Sequence, residues 1–400
     1  MARQIVVGID IGTSETRVVV AEGFIENGHI VPKIIATGSS ETRGMCRGYI
    51  AEQTEVIKSV KLAVSRAEKA LGFKIKRAYV SFGGIGLGSI VASGSVAISR
   101  ADLEVTDRDL TTALEVAEAA IPASASINKR IINTVPIEYK IDGKTVWGQA
   151  LGLKAQKLEV KALFITCLEH HLTNLINTVE EAGVDVIDVV AAPVALSFVT
   201  LSKKQKRAGC LLVDVGAETL SIVVFENNNL VSLEVFPIGG SDVTNDIALG
   251  LKISLENAED VKLGNDRGMS YSKKKLEEIV RARLDDCFEL VETHLESIGR
   301  DALLPAGVIL AGGSASMSGI RTIAESSLKL PSQVAEVYFG NNAKATVKDR
   351  TWAIACGLSI VGFNTDHEQR SIGIRNGGPI VESGKHWGKL ISRWASQFLP

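Results

Sequence analysis

Apolar positions along the chain fall into two patterns. Short β-branched blocks stop at glycines or polar turns and predict strands, while longer stretches repeat apolar residues every three or four positions and predict helices. Residues 5–9 and 17–20 are Ile- and Val-rich and enclose Asp10, Gly12, Thr13 and Ser14, a strand–turn–strand unit. Residues 54–71 place Val56, Ile57, Val60, Ala63, Val64, Ala67 and Leu71 at helical spacing, with Lys and Glu opposite. Residues 78–82 read as a strand. The run Gly83-Gly84-Ile85-Gly86-Leu87-Gly88 lacks G-x-G-x-x-G and opens no helix, so it reads as a flexible join, with a cofactor loop as the alternative.

From 84 to 161 the pattern becomes that of an inserted α+β block. A strand over 89–99 precedes a helix over 106–120, started by Thr106-Asp107 and stopped by Pro122. Strands follow over 130–139, 144–147 and 150–153, the first two joined by an Asp142-Gly143 turn. A strand over 160–167 then resumes the main fold, with a helix over 170–182, a strand over 184–190 and a helix over 193–201. His170 and His171 have no third ligand nearby and read as polar helix-start residues rather than a zinc site. Lys203-Lys204-Gln205-Lys206-Arg207 reads as a solvated turn. Strands at 211–215, 220–225 and 230–237 precede Gly239-Gly240 and a polar helix start. Residues 243–300 are mainly helical, with a long helix over 273–298. A strand over 305–310 runs into Gly312-Gly313-Ser314, and a helix over 352–363 follows.

The opening unit has a second copy. A shift of 204 positions lays it on residues 209–226 without a gap. Asp10 falls on Asp214, Gly12 on Gly216, Val19 and Val20 on Val223 and Val224, and Glu22 on Glu226. One such unit is compatible with an ordinary hairpin. Two matched copies predict two related lobes, each presenting a phosphate-sized turn with hydroxyls and backbone amides.

The chain's end differs again. Residues 364–384 are polar with Gly and Pro and read as a linker. Trp387, Leu390, Ile391, Trp394 and Phe398 then share one face of a predicted helix over 385–399, with Lys385, Lys389 and Arg393 opposite. A cationic helix with a Trp/Ile/Phe face matches an interfacial membrane helix, while docking on the protein's own core is the alternative.

A formal charge of −2 gives no bulk attraction to nucleic acid. The five cysteines are widely spaced without a C-x-x-C pair, which argues against a zinc or disulfide framework and for reduced thiols in the cytosol. The first residues enter a strand directly, so no signal peptide is expected. No run of about 18 uncharged apolar residues is present to span a membrane.

Asp10-Ile11-Gly12-Thr13-Ser14, Asp214-Val215-Gly216-Ala217-Glu218-Thr219, Leu310-Ala311-Gly312-Gly313-Ser314 and the helices near 192–201 and 352–363 resemble the five-part nucleotide site of the actin, sugar-kinase and heat-shock-chaperone superfamily. The inserted block, the Gly239-Gly240-x-x-x-Thr244-Asn245-Asp246-Ile247-Ala248 run and the amphipathic tail resemble the bacterial cell-division family FtsA, over essentially the whole chain. That resemblance implies an α/β, actin-like two-lobed fold with a duplicated ribonuclease H-like core, an inserted α+β subdomain and a C-terminal amphipathic helix. It implies a first lobe from 1–83, 162–202 and 346–363, an inserted subdomain at 84–161, a second lobe from 203–242 and 302–345, a small helical subdomain at 243–301, a linker at 364–384 and a membrane helix at 385–400.

The resemblance also implies ATP with Mg²⁺ between the lobes. Gly12, Thr13 and Ser14 would meet the phosphates from one side, and Gly216, Ala217, Glu218 and Thr219 from the other. Asp10 and Asp214 would hold hydrated magnesium. Gly239 and Gly240 would approach phosphates or ribose, Glu259 and Lys262 would lie near the ribose, and Gly312, Gly313 and Ser314 would line the adenosine. Trp387, Lys389, Leu390, Ile391, Arg393, Trp394 and Phe398 would bind an anionic membrane at its cytoplasmic side. Expected partners are copies of the chain in a filament, the C-terminal tail of FtsZ and later divisome proteins, with no nucleic acid. Three departures matter. Ala192 stands where hydrolysing relatives often carry an acid, Glu218 and Ser221 replace a glycine and an aspartate, and the segment between Lys262 and the helix at 273 is short. Nucleotide binding without fast hydrolysis is therefore expected. A small-molecule kinase and a pilus-assembly relative are the competing readings.

Overall fold

The β-branched blocks assemble into two sheets of one topology. The computed structural model describes residues 4–26, 29–265, 270–339 and 349–371. In the first sheet the order is Asp185–Ala191, Arg77–Phe82, Gln4–Ile11, Glu15–Glu26 and His29–Glu41. The first three strands run parallel, and the rest continue from Gln4–Ile11 as an antiparallel meander. The second sheet repeats this plan. Ser332–Val334, Val308–Ala311 and Cys210–Val215 are parallel, then Leu220–Glu226 and Asn229–Phe236 run antiparallel. The register repeats too: Asp10 pairs with Arg17, and Asp214 with Ser221.

The central strands are apolar at most positions because both faces are covered, and Asp10 and Asp214 interrupt them only near their ends. Leu211, Val213, Val215, Leu220, Ile222 and Val224 point into one core. Leu212, Val223 and Phe225 point the other way, into a core shared with the first sheet. Helices Ala192–Thr200 and Ala353–Ser371 lie in that shared core and touch at Gly357, where a methyl group would overlap the Ala195 carbonyl. Beyond the second sheet, helix Lys273–Ser297 buries Leu284, Cys287, Phe288, Val291 and Leu295, and Arg283 clasps Asp246 at 2.6 and 3.2 Å.

The inserted block has its own core around Val105, Ala113, Ala117, Leu158, Val160 and Phe164. Helix Asp107–Ala119 covers an antiparallel sheet in the order Gly88–Ala97, Lys157–Leu168, Lys129–Ile141 and Lys144–Val146. This sheet continues the second one through a single residue pair, Glu234 with Gly88.

The structure corrects several expectations. The strand expected to resume the main fold at 160–167 is Lys157–Leu168, paired on both sides within the inserted sheet, so the inserted sheet runs past residue 161. Residues 150–153 form a turn, and only Lys154 bridges, to Glu104. The run 203–207 is not a solvated turn. It lies in a helix, Lys203–Ala208, and Lys206 is buried. The Gly83-Gly84 join is closely packed: a side chain on Gly84 would strike the Tyr49 ring at 2.5 Å. The closing helix runs to Ser371, so the linker expected from 364 does not begin there. The membrane residues Trp387, Lys389, Leu390, Ile391, Arg393, Trp394 and Phe398 lie outside the described residues.

Candidate functional site

Both hairpin turns are built the same way. The Gly12 amide donates to the Glu15 carbonyl at 3.2 Å, and the Gly216 amide to the Thr219 carbonyl at 2.9 Å. A Cβ on either glycine would press on that carbonyl at 3.0 Å. Around these turns Thr13, Ala217, Glu218 and Thr219 are half-buried and Ser14 is exposed.

At the strand ends, Asp10 and Asp214 are only 6% and 9% exposed. Ser81, on the neighbouring parallel strand, donates to Asp10 at 2.6 Å. Burial pushes the Asp10 carboxyl above its ordinary value, against the pull of Ser81 and Arg17. Burial, with the charge of Asp10 added, pushes Asp214 up to about 7. Two buried carboxyls, the charge of Asp10 adding to the proton affinity of Asp214, with a hydroxyl alongside, form an oxygen donor set suited to a hard divalent cation.

The second turn rests on a floor of close backbone contacts. The Gly240 amide donates to the Gly216 carbonyl at 2.9 Å, and the Ser241 amide to Ala217 at 2.7 Å. A methyl on Gly240 would overlap the Ser314 hydroxyl, which itself donates to the Gly216 carbonyl at 3.2 Å. A Cβ on Gly239 would meet the Ala217 carbonyl at 2.6 Å. Lys262 Nζ donates to the Gly240 carbonyl at 3.1 Å and to Thr244 Oγ1 at 2.9 Å, and it pairs with Glu259 at 2.7 Å. Gly312 has φ +88°, and a side chain there would strike the Asp214 carboxylate. Gly313 faces Thr351, and a Cβ there would sit in ordinary contact with its methyl at 3.8 Å.

The structure thus gathers Gly216, Ala217, Glu218, Thr219, Gly239, Gly240, Glu259, Lys262, Gly312, Gly313 and Ser314 about Asp214, and Gly12, Thr13 and Ser14 about Asp10. Ser81, Thr244, Arg47 and Thr351 also reach this region. The signal for Ser81 is a hydroxyl inside an otherwise apolar strand that ends at Gly83. For Arg47, whose amide donates to Glu218 at 2.6 Å across 171 residues of sequence, no local signal exists.

Two sheets of repeated topology, meeting over paired turns and aspartates, define an actin-like protein with an inserted subdomain. The fold is similar to a chain of the PilM–PilN type IV pilus biogenesis complex, with TM-score 0.63 and 18% identity over 89% of this chain and 98% of that one. It is also similar to MreB5 of Spiroplasma citri bound to ADP, with TM-score 0.51 and 14% identity over 93% and 99%. Residues 211–357 match the family model for cell division protein FtsA, and residues 84–166 the model for the SHS2 domain inserted in FtsA. The chain is 30% identical to the cell division protein FtsA of Bacillus subtilis, over 89% of its length and 82% of the relative's. Against that of Pseudomonas aeruginosa the identity is 28%, over 96% and 97%. The chain belongs to the FtsA family of cell division proteins.

Proposed function

We propose that the cleft binds ATP with Mg²⁺ and that the bound nucleotide holds a polymer-competent shape, with residues 385–399 placing the filament on the inner face of the cytoplasmic membrane and tethering FtsZ filaments there. The observation that carries this reading is the pair of matched turns ending at Asp10 and Asp214. Gly12, Thr13 and Ser14 would meet the phosphates from the first sheet, and Gly216, Ala217, Glu218 and Thr219 from the second. Asp10 and Asp214 would hold the hydrated metal, whose charge neutralises the phosphates when bound. Gly239, Gly240, Glu259 and Lys262 would bound the ribose, and Gly312, Gly313 and Ser314 the adenosine.

The role needs no rapid turnover. Ala192 opens the helix Ala192–Thr200 with a methyl group, which accepts no proton from water. Among the described residues no helix is long and apolar enough to cross a membrane. Attachment would rest on the amphipathic tail, and a filament multiplies one weak helix into a firm anchor.

Electron microscopy on anionic lipid monolayers, with MgATP and the C-terminal peptide of FtsZ, tests the proposal. Ordered filaments that bind the peptide are the expected result. Bare monolayers, or filaments that ignore nucleotide, contradict it.

A further inference from the structure

A small hairpin of Met45–Cys46 and Tyr49–Ile50 stands beside the second turn. It is firmly seated. Tyr49 stacks on His171 with ring centroids 3.6 Å apart and planes 7° apart. A side chain on Gly48 would strike Gly84 Cα at 2.5 Å, and the Ile85 amide donates to the Arg47 carbonyl at 3.4 Å. Arg47 sits at the tip with φ +47°, next to Gly48 at φ +77°. From this tip the Arg47 amide donates to a carboxylate oxygen of Glu218 at 2.6 Å. The bond joins a hairpin packed on the first sheet's core to the phosphate-sized turn of the second sheet.

An amide that donates to a carboxylate offers the same bond to a phosphate oxygen. Glu218 lies in the turn between Gly216 and Thr219, whose carbonyls accept from Gly240, Ser314 and Gly216 itself. We infer that Glu218 is a specificity-determining residue: its carboxylate takes the Arg47 amide that a nucleotide's third phosphate would claim, and it disfavours a triphosphate relative to a diphosphate. The inference rests on the nucleotide reading above. It explains how a carboxylate is accommodated in a phosphate turn: it closes the cleft as an internal anion, and a terminal phosphate must displace it and bear its repulsion.

Calorimetric titration of MgADP and MgATP into the full chain, Glu218→Gln and Glu218→Gly tests this. Glu218→Gln should tighten MgATP by roughly fivefold, the scale of one solvent-screened charge pair, and change MgADP by less than about twofold. An equal change for both nucleotides, or none, overturns the inference while leaving the nucleotide reading intact. Wild-type chain that binds neither overturns the nucleotide reading, and the inference with it. Hydrogen exchange over residues 44–50 gives a second readout. Exchange at the Arg47 amide should speed up roughly tenfold in Glu218→Gly, and MgATP but not MgADP should slow it again. Equal exchange in wild type and Glu218→Gly means that the bond is not held in solution and overturns the inference.

Discussion

Asp10 and Asp214 end equivalent strands of two repeated sheets, and the charge of one helps burial raise the carboxyl of the other to about 7. Neither sheet alone makes this pair. It exists because the duplicated turns converge.

Asp214→Asn separates the pair's two consequences. A carboxyl whose folded value lies above its unfolded one contributes stability that is present below about pH 4 and lost as pH rises through about 7. The ligand-free variant should therefore be more stable than wild type by about 1–3 kcal/mol at pH 8, with no gain at pH 4. Its affinity for MgATP should fall by at least roughly tenfold, the range set by loss of one charged ligand. Urea unfolding at the two pH values and a nucleotide titration read both effects. A variant less stable than wild type at pH 8 would show that the carboxylate is held by contacts worth more than its burial costs.

Lys206 makes the opposite prediction. Its ammonium lies 5.0 and 4.7 Å from the Phe198 and Phe225 rings and donates to Ser197 Oγ at 3.2 Å, and burial pushes it down to about 7. From there to about 10.5 the unfolded chain holds more of the proton, so this lysine lowers stability fully below pH 7 and progressively less towards pH 10.5. Lys206→Met should raise stability by about 1–3 kcal/mol at pH 6, and the gain should shrink by pH 9. Comparing variant with wild type at each pH cancels the buried thiols that do not sense this lysine, and making both measurements in a Cys210→Ala background removes the one that does. A gain that grows from pH 6 to pH 9 would contradict the assignment.

Gly357→Ala probes the crossing of the two central helices. The new methyl would overlap the Ala195 carbonyl in a fully packed core. A loss of about 1–3 kcal/mol is expected from overpacking. Thermal unfolding unchanged within error would mean that the helices separate easily.

These residues also show what the sequence discloses. The repeated strand–turn–strand was readable because β-branched alternation and a gapless echo place Asp10 and Asp214 without any tertiary information. Strand His29–Glu41 carries no such signal. Its inward positions include Pro32, Ala36, Gly38 and Ser40, small because helix Gln53–Leu71 lies directly on them, and a Cβ on Gly38 would strike that helix at Ala67. Lys206 was hidden in a cationic run, since only the fold brings Phe198 and Phe225 to its ammonium. Lys157–Leu168 looked like a strand in either sheet, because pattern fixes a strand's type and not its neighbours. The Arg47–Glu218 bond depends on two turns 171 residues apart.

The tail prediction rests on pattern alone. The full chain should pellet with anionic vesicles, and a chain ending at Ser371 should remain in the supernatant. Trp387→Glu or Trp394→Glu should weaken pelleting by at least roughly tenfold, since each puts a charge into the apolar face. Pelleting unaffected by these changes would place the attachment elsewhere.

The central claim is that the paired turns grip a nucleotide, and titration calorimetry of MgATP into wild type and Gly12→Asp tests it most directly. A Cβ on Gly12 presses on the Glu15 carbonyl at 3.0 Å, and an added carboxylate would repel phosphate. The account predicts saturable 1:1 binding to the wild type and none to the variant, with both chains folded by circular dichroism. Equal binding by both, or none by the wild type, would contradict it.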